Sequence, residues 1–101
     1  MVRDEFIADA VMHLENGKKW LLQYYLRTYE KGLGKTLYGI RVDKCRTDGQ
    51  LTETEATYPI TESRVEAMVV LKAFCAGSVP PCTLLEMIDE LDFPSGVQIA
   101  G

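Results

Sequence analysis

Trp20-Leu-Leu-Gln-Tyr-Tyr-Leu-Arg-Thr-Tyr29 is the longest run of strand-forming side chains in this 101-residue sequence, and its reading decides the fold. Two sets of period two interleave in it. Trp20, Leu22, Tyr24, Leu26 and Thr28 form a nearly apolar face, while Leu21, Gln23, Tyr25, Arg27 and Tyr29 form a mixed one. A short apolar run can also be helical, so its upstream border matters. Asn16-Gly17 is the strongest short hairpin signal, because a type I′ turn needs the positive φ that Asn and Gly adopt most easily. The stretch is therefore expected to be the central strand of an antiparallel sheet.

Working outward, Phe6, Ala8, Ala10, Met12 and Leu14 alternate with Ile7, Asp9, Val11 and His13, which predicts a strand over 6–14, with helix as the competing reading. The central strand spans 18–30 and ends at Gly32-Leu-Gly-Lys35, a turn with two glycines. A third strand over 36–46 puts Tyr38, Ile40 and Val42 on one face, with Gly39, Arg41 and Asp43 on the other. Gly39 marks a bulge or the close approach of another group, such as a ring from the next strand. After Asp48-Gly49, a more polar strand over 50–58 carries Glu53 and Glu55, as suits the margin of a sheet.

Beyond Pro59 the period becomes helical. Ser63-Arg-Val-Glu66 has the form of a capping box, with Thr61 as the alternative N-cap, and opens a helix over 63–76 that Gly77 ends in the left-handed C′ position. Val65, Met68, Val69, Leu71 and Cys75 spread round that helix, which should lie across the sheet. Val79-Pro80-Pro81 is expected to be an extended connection. A second box, Thr83-Leu-Leu-Glu86, predicts a helix over 83–92 with Leu84, Leu85, Met87, Ile88 and Leu91 inward and Glu86, Asp89, Glu90 and Asp92 outward.

Together these elements predict an α+β fold, a four-stranded antiparallel meander with both helices on one face. Residues 1–92 should be one domain and residues 93–101 a loosely ordered tail. The expected core is Trp20, Leu22, Tyr24, Leu26, Tyr38, Ile40, Val42, Met68, Leu71, Phe74, Leu84, Ile88 and Leu91.

Composition narrows the function. An apolar fraction of 47% with 26% charged residues is that of a globular chain. A net charge of −4 opposes nonspecific attraction to nucleic acid or anionic membrane. No apolar run is long enough to span a bilayer, and Met1-Val-Arg-Asp-Glu5 lacks the character of a secretion signal. Cys45, Cys75 and Cys82 are odd in number and contain no CxxC pair, so free thiols in the cytoplasm are the expectation.

The chemistry-bearing residues are sparse. His13 is the only histidine and the cysteines are dispersed, so neither a metal site nor a cofactor is expected. Cys82, just ahead of a predicted helix start, is the candidate reactive thiol, because the positive end of the helix dipole favours a thiolate. The acids of the last helix read as its wet face, and Gly32-x-Gly34-Lys35 lacks the rest of a phosphate loop. The mixed face of the central strand offers the candidate binding residues Tyr25, Arg27, Tyr29 and Arg41, extended by Lys31 or Lys44. Rings and cations on a sheet are the equipment of single-stranded RNA binders.

In sequence, Tyr24-Tyr25-Leu26, Tyr38-Gly39-Ile40, Ile60-Thr-Glu-Ser-Arg-Val65 and Val79-Pro-Pro-Cys-Thr-Leu84 resemble motifs of a family of short uncharacterised proteins from anaerobic Gram-positive bacteria, catalogued as a domain of unknown function. The resemblance covers most of residues 6–92 and implies a small cytosolic domain with no assigned activity. The expectation is thus a non-enzymatic protein-interaction module with a protein partner or a second copy. A nucleic-acid-binding sheet and a thiol-dependent enzyme using Cys82 are the alternatives.

Overall fold

The first and third hairpins begin from the same five-residue device. In the computed structural model, which describes residues 1–32 and 34–91, the amide of Leu14 donates to Lys18 O and that of Gly17 to Leu14 O. The Arg46 amide likewise donates to Gln50 O, and the Gly49 amide to Arg46 O. Asn16 Oδ1 and Asp48 Oδ1 accept from the amides of Lys18 and Gln50, both at 3.0 Å. Gly17 and Gly49 have φ of +80° and +92°, whereas Asn16 and Asp48 are not left-handed. The loops are therefore three-residue turns closed by a left-handed glycine, and not the two-residue type I′ turn that Asn16-Gly17 suggests.

These turns join β1 (Val2–His13) to β2 (Lys19–Lys31) and β3 (Lys35–Arg46) to β4 (Leu51–Ala56). The sheet is the antiparallel meander β1-β2-β3-β4, and α1 (Arg64–Ala76) and α2 (Pro81–Asp89) cover one face of it. The α+β reading holds. Strand β1 begins at Val2, four residues ahead of the expected start, so the acids Asp4 and Glu5 lie within it. Its register shifts between Phe6 and Ala8. That bulge leaves Ile7, Ala10 and Met12 against the core and turns Phe6, half exposed, to the other face, which unbroken alternation would not do.

The core joins Leu22, Tyr24, Leu26, Ile40 and Val42 of the sheet to Ala67, Leu71, Phe74, Leu84 and Ile88 of the helices. Tyr38 and Met68 are only partly buried at its edge. Trp20 and Leu91 do not belong to it: Trp20 is half-buried outside the cluster, and Leu91, past the end of α2, is exposed. Ile60 and Val79, from the connections, fill the space instead. Tyr24 hydroxyl donates to Val79 O at 2.8 Å inside this core, and burial pushes the phenol well above its usual pKa.

The helix termini differ from the sequence reading in three ways. Ser63 caps α1 by accepting from the Glu66 amide at 3.1 Å, but Ser63 N already donates to Thr61 Oγ1 at 3.0 Å. Glu66 therefore has no amide to reach back to, and the box is half formed. At the other end Gly77 has φ of −89° and the left-handed residue is Ser78, φ +52°. Val79 N donates to Phe74 O and Ser78 N to Cys75 O, a Schellman closure that draws Val79 into the core. Finally, α2 starts at Pro81 with Pro80 as N-cap, because proline suits the first helical position, where no amide is needed. Thr83 lies inside the helix and bonds Pro80 O, so it caps nothing. Val65 and Val69 face outward from α1 at 75% and 63% exposure. Among the described residues no helix is long and apolar enough to cross a membrane. The expected tail, 93–101, and Asp92 lie outside the described residues.

Candidate functional site

The side of the sheet away from the helices is formed by alternate residues of all four strands. The register sets Asp4 opposite Arg27, Phe6 opposite Tyr25, Tyr25 opposite Arg41, and Asp43 opposite Thr54. Cross-strand partners share a face, so these side chains must meet.

They meet as a chain of ion pairs. Arg27 Nε and Nη2 donate to the two carboxylate oxygens of Asp4 at 2.8 and 2.9 Å. Arg41 Nη1 donates to Asp4 Oδ2 at 3.0 Å, and its Nε and Nη2 grip Asp43 at 2.9 Å each. Thr54 hydroxyl donates to Asp43 Oδ1 at 2.6 Å. Two arginines thus face two aspartates, with side chains 6–29% exposed. The Arg27 hydrogen bonds, assisted by Arg41, hold the Asp4 carboxyl below the usual carboxylate range against the opposing effect of burial. Asp4 raises Arg27 in return, and Asp43, then Asp4, raises Arg41.

Aromatic groups surround this chain. The Arg41 guanidinium lies 5.0 Å from the Tyr25 ring centroid, and Phe6 meets the same ring edge-on at 5.7 Å and 74°. Burial, then Asp43, raises the Tyr25 phenol. Tyr29 reaches across β3 so that its hydroxyl donates to Thr57 O. The path runs over Gly39: a Cβ there would stand 2.6 Å from Thr57 Oγ1, 3.0 Å from Tyr58 O and 3.1 Å from Tyr29 Cε2. The glycine makes room first for Thr57 Oγ1 and the Tyr58 carbonyl, and then for the edge of the Tyr29 ring.

The structure brings Tyr25, Arg27 and Arg41 together and sets Tyr29 beside them as a strap. Lys31 is exposed at the far end of β2, and Lys44 lies on the opposite face, its Nζ 4.6 Å from the Trp20 ring centroid. That removes Lys44 from the expected surface, because its cross-strand partner is Leu22 of the core face. Asp4 and Phe6 are the residues sequence reasoning passed over. Cys82 is an exposed free thiol in the first turn of α2, which packs on β3 and β4, whereas His13 ends β1 at the other edge. Cys45 and Cys75 are also free; burial raises both thiols, helped by Asp43 and Asp9 respectively. No cluster of three metal-binding side chains occurs among the described residues.

Sheet, helices and ion-pair chain define a small α+β domain with one helix-free face whose charges are mutually satisfied. By its sequence the chain belongs to a family of unknown function (DUF6514), which matches residues 3–92. No curated protein and no solved structure matches it.

Proposed function

We propose that this chain is a non-enzymatic protein-interaction module of the cytosol, and that its helix-free sheet face closes on a second copy of the same chain. The observation that carries the reading is the pairing of Arg27 and Arg41 with Asp4 and Asp43. Cations so engaged are poorly placed to hold phosphates, which weighs against the single-stranded RNA alternative. A face of balanced charge does not repel its own copy across a two-fold axis. Around the ion pairs stand half-exposed apolar groups, Phe6 and Val11, with Leu51 at the β4 margin.

The area is adequate. Strands of 12 or 13 residues at about 3.3 Å per residue and 4.8 Å spacing give a face on the order of 600–700 Å², near the ~800 Å² per partner of a standard interface. The sheet edges are less suited. β4 is short, and its Glu55 carboxylate accepts from the Ala56 amide, while β1 is interrupted by its bulge and the Cys75 thiol donates to Asp9 O. The cytosol keeps the three thiols reduced.

The test is light scattering across a concentration series of the wild type and Phe6→Glu, with circular dichroism to verify folding. A dimeric wild type and a monomeric variant are expected. A wild type that stays monomeric at roughly 100 µM, well above the Kd of a working dimer, overturns the reading.

A further inference from the structure

Both five-residue turns stand at the same end of the sheet, side by side, because Trp20 pairs with Arg46 across β2 and β3. The sheet outruns its cover there. At about 1.5 Å per helical residue α1 and α2 are roughly 20 and 14 Å long, against about 43 Å for β2. Trp20 and Arg46, being cross-strand partners, share the helix-side face of that overhang, and Trp20 is left half-buried outside the core. Between the turns lies an open groove of about 580 Å³ lined by Gly17, Lys18, Lys19, Trp20, Arg46 and Thr47.

Its cations differ from those of the opposite face. Lys18 makes no ion pair among the described residues, and Arg46 reaches Asp48 only at 3.7 Å, with both side chains more than half exposed; Lys19, alternating with Trp20 along β2, turns to the other face. Lys44, beside the Trp20 ring, is 4.0 Å from Glu53. In a chain of net charge −4, this end sets Lys18 and the loosely held Arg46 near a half-buried indole. A cation held by water alone exchanges it for a phosphate oxygen at little cost, and an indole offers a stacking surface to any flat ring.

We infer that the groove binds a small phosphate ester carrying a flat ring, a ligand of the mononucleotide class, with the ring against Trp20 and the phosphate held by Lys18 and Arg46, which share its face. The site lies on the face opposite the proposed self-association surface and stands or falls independently of it. An open groove with exposed cations implies weak binding, with Kd about 0.1–1 mM.

Trp20 is the only tryptophan, so its emission reports directly on the groove. Adenosine monophosphate, adenosine and inorganic phosphate are titrated separately at low salt. The monophosphate is expected to quench Trp20 saturably, adenosine to bind at least about fivefold more weakly, and Lys18→Ala with Arg46→Ala to weaken the monophosphate at least about fivefold without altering the circular dichroism. No saturable change up to about 10 mM monophosphate overturns the proposal. So does equal quenching by adenosine and the monophosphate that is indifferent to the Lys18 and Arg46 changes. A short single strand with a 5′-phosphate that binds more than about tenfold tighter than the monophosphate overturns its assignment to a free small molecule.

Discussion

Replacing Asp4 by Asn removes the one charge that Arg27 and Arg41 share while changing the side-chain volume hardly at all. Three charge-assisted bonds, at 2.8, 2.9 and 3.0 Å, are affected. The asparagine retains one oxygen acceptor but turns an amine toward a guanidinium. Arg41 keeps Asp43, so the loss falls mainly on Arg27. Exposed pairs are worth about 0.2–1 kcal/mol and breaking buried ones costs about 3–5; at 18% exposure for Asp4 and 24% for Arg27 an intermediate ~2 kcal/mol is expected. Urea unfolding measures it. Glu30→Gln, which breaks the exposed Arg3–Glu30 pair at 3.2 Å, serves as control and should cost under about 0.5 kcal/mol. The effect also depends on pH. Because the folded state holds Asp4 below its unfolded pKa of about 3.9, its stabilisation is complete above that value and disappears as pH falls through the depressed folded pKa. Asp4→Asn should therefore flatten the acid limb of the stability curve. A variant within about 0.5 kcal/mol of wild type at neutral pH, with an unchanged acid limb, refutes the role assigned to Asp4.

Three further substitutions probe the scaffold beneath the face. Gly39→Ala forces a methyl against Thr57 Oγ1 and the Tyr29 ring and should cost about 1–3 kcal/mol in urea unfolding, with Tyr29 displaced from Thr57. Ser78→Gly relieves a left-handed serine at the end of α1 and should raise stability by roughly 1 kcal/mol, seen as a higher melting temperature. Tyr24→Phe leaves Val79 O without its buried donor and should cost about 1–3 kcal/mol, with little change in fold by circular dichroism.

The sheet was legible because its signals were redundant. Alternation in Trp20–Tyr29 and two glycine turns pointed to one topology, and Gly39 marked the close approach of another group, chiefly Thr57 and the Tyr58 carbonyl. What escaped was whatever depends on one-residue offsets. Asp4 and Glu5 fell outside the strand expected over 6–14, yet β1 continues through them, and Arg27 and Arg64 receive them from the neighbouring elements. The bulge at Ile7 carries no composition signal, so Phe6 was assigned to the wrong phase. Pro81 reads locally as a breaker, but its meaning depends on whether the helix begins with it or ends before it. At the candidate site Arg27 and Arg41 were visible as residues. Alternation alone sets Asp43 beside Arg41, but the neutralisation of Arg27 was hidden, since it requires the β1–β2 register that sets Asp4 against it.

Hydroxyl-radical footprinting along a dilution series tests self-association through the helix-free face most directly, because it reads Phe6 and Tyr25 themselves. Met87, exposed on α2, is the internal control. The account predicts that both rings are protected at high protein concentration and gain reactivity together on dilution, while Met87 stays constant. Reactivity of Phe6 and Tyr25 that does not change with concentration, in a range where Met87 is equally constant, would contradict it.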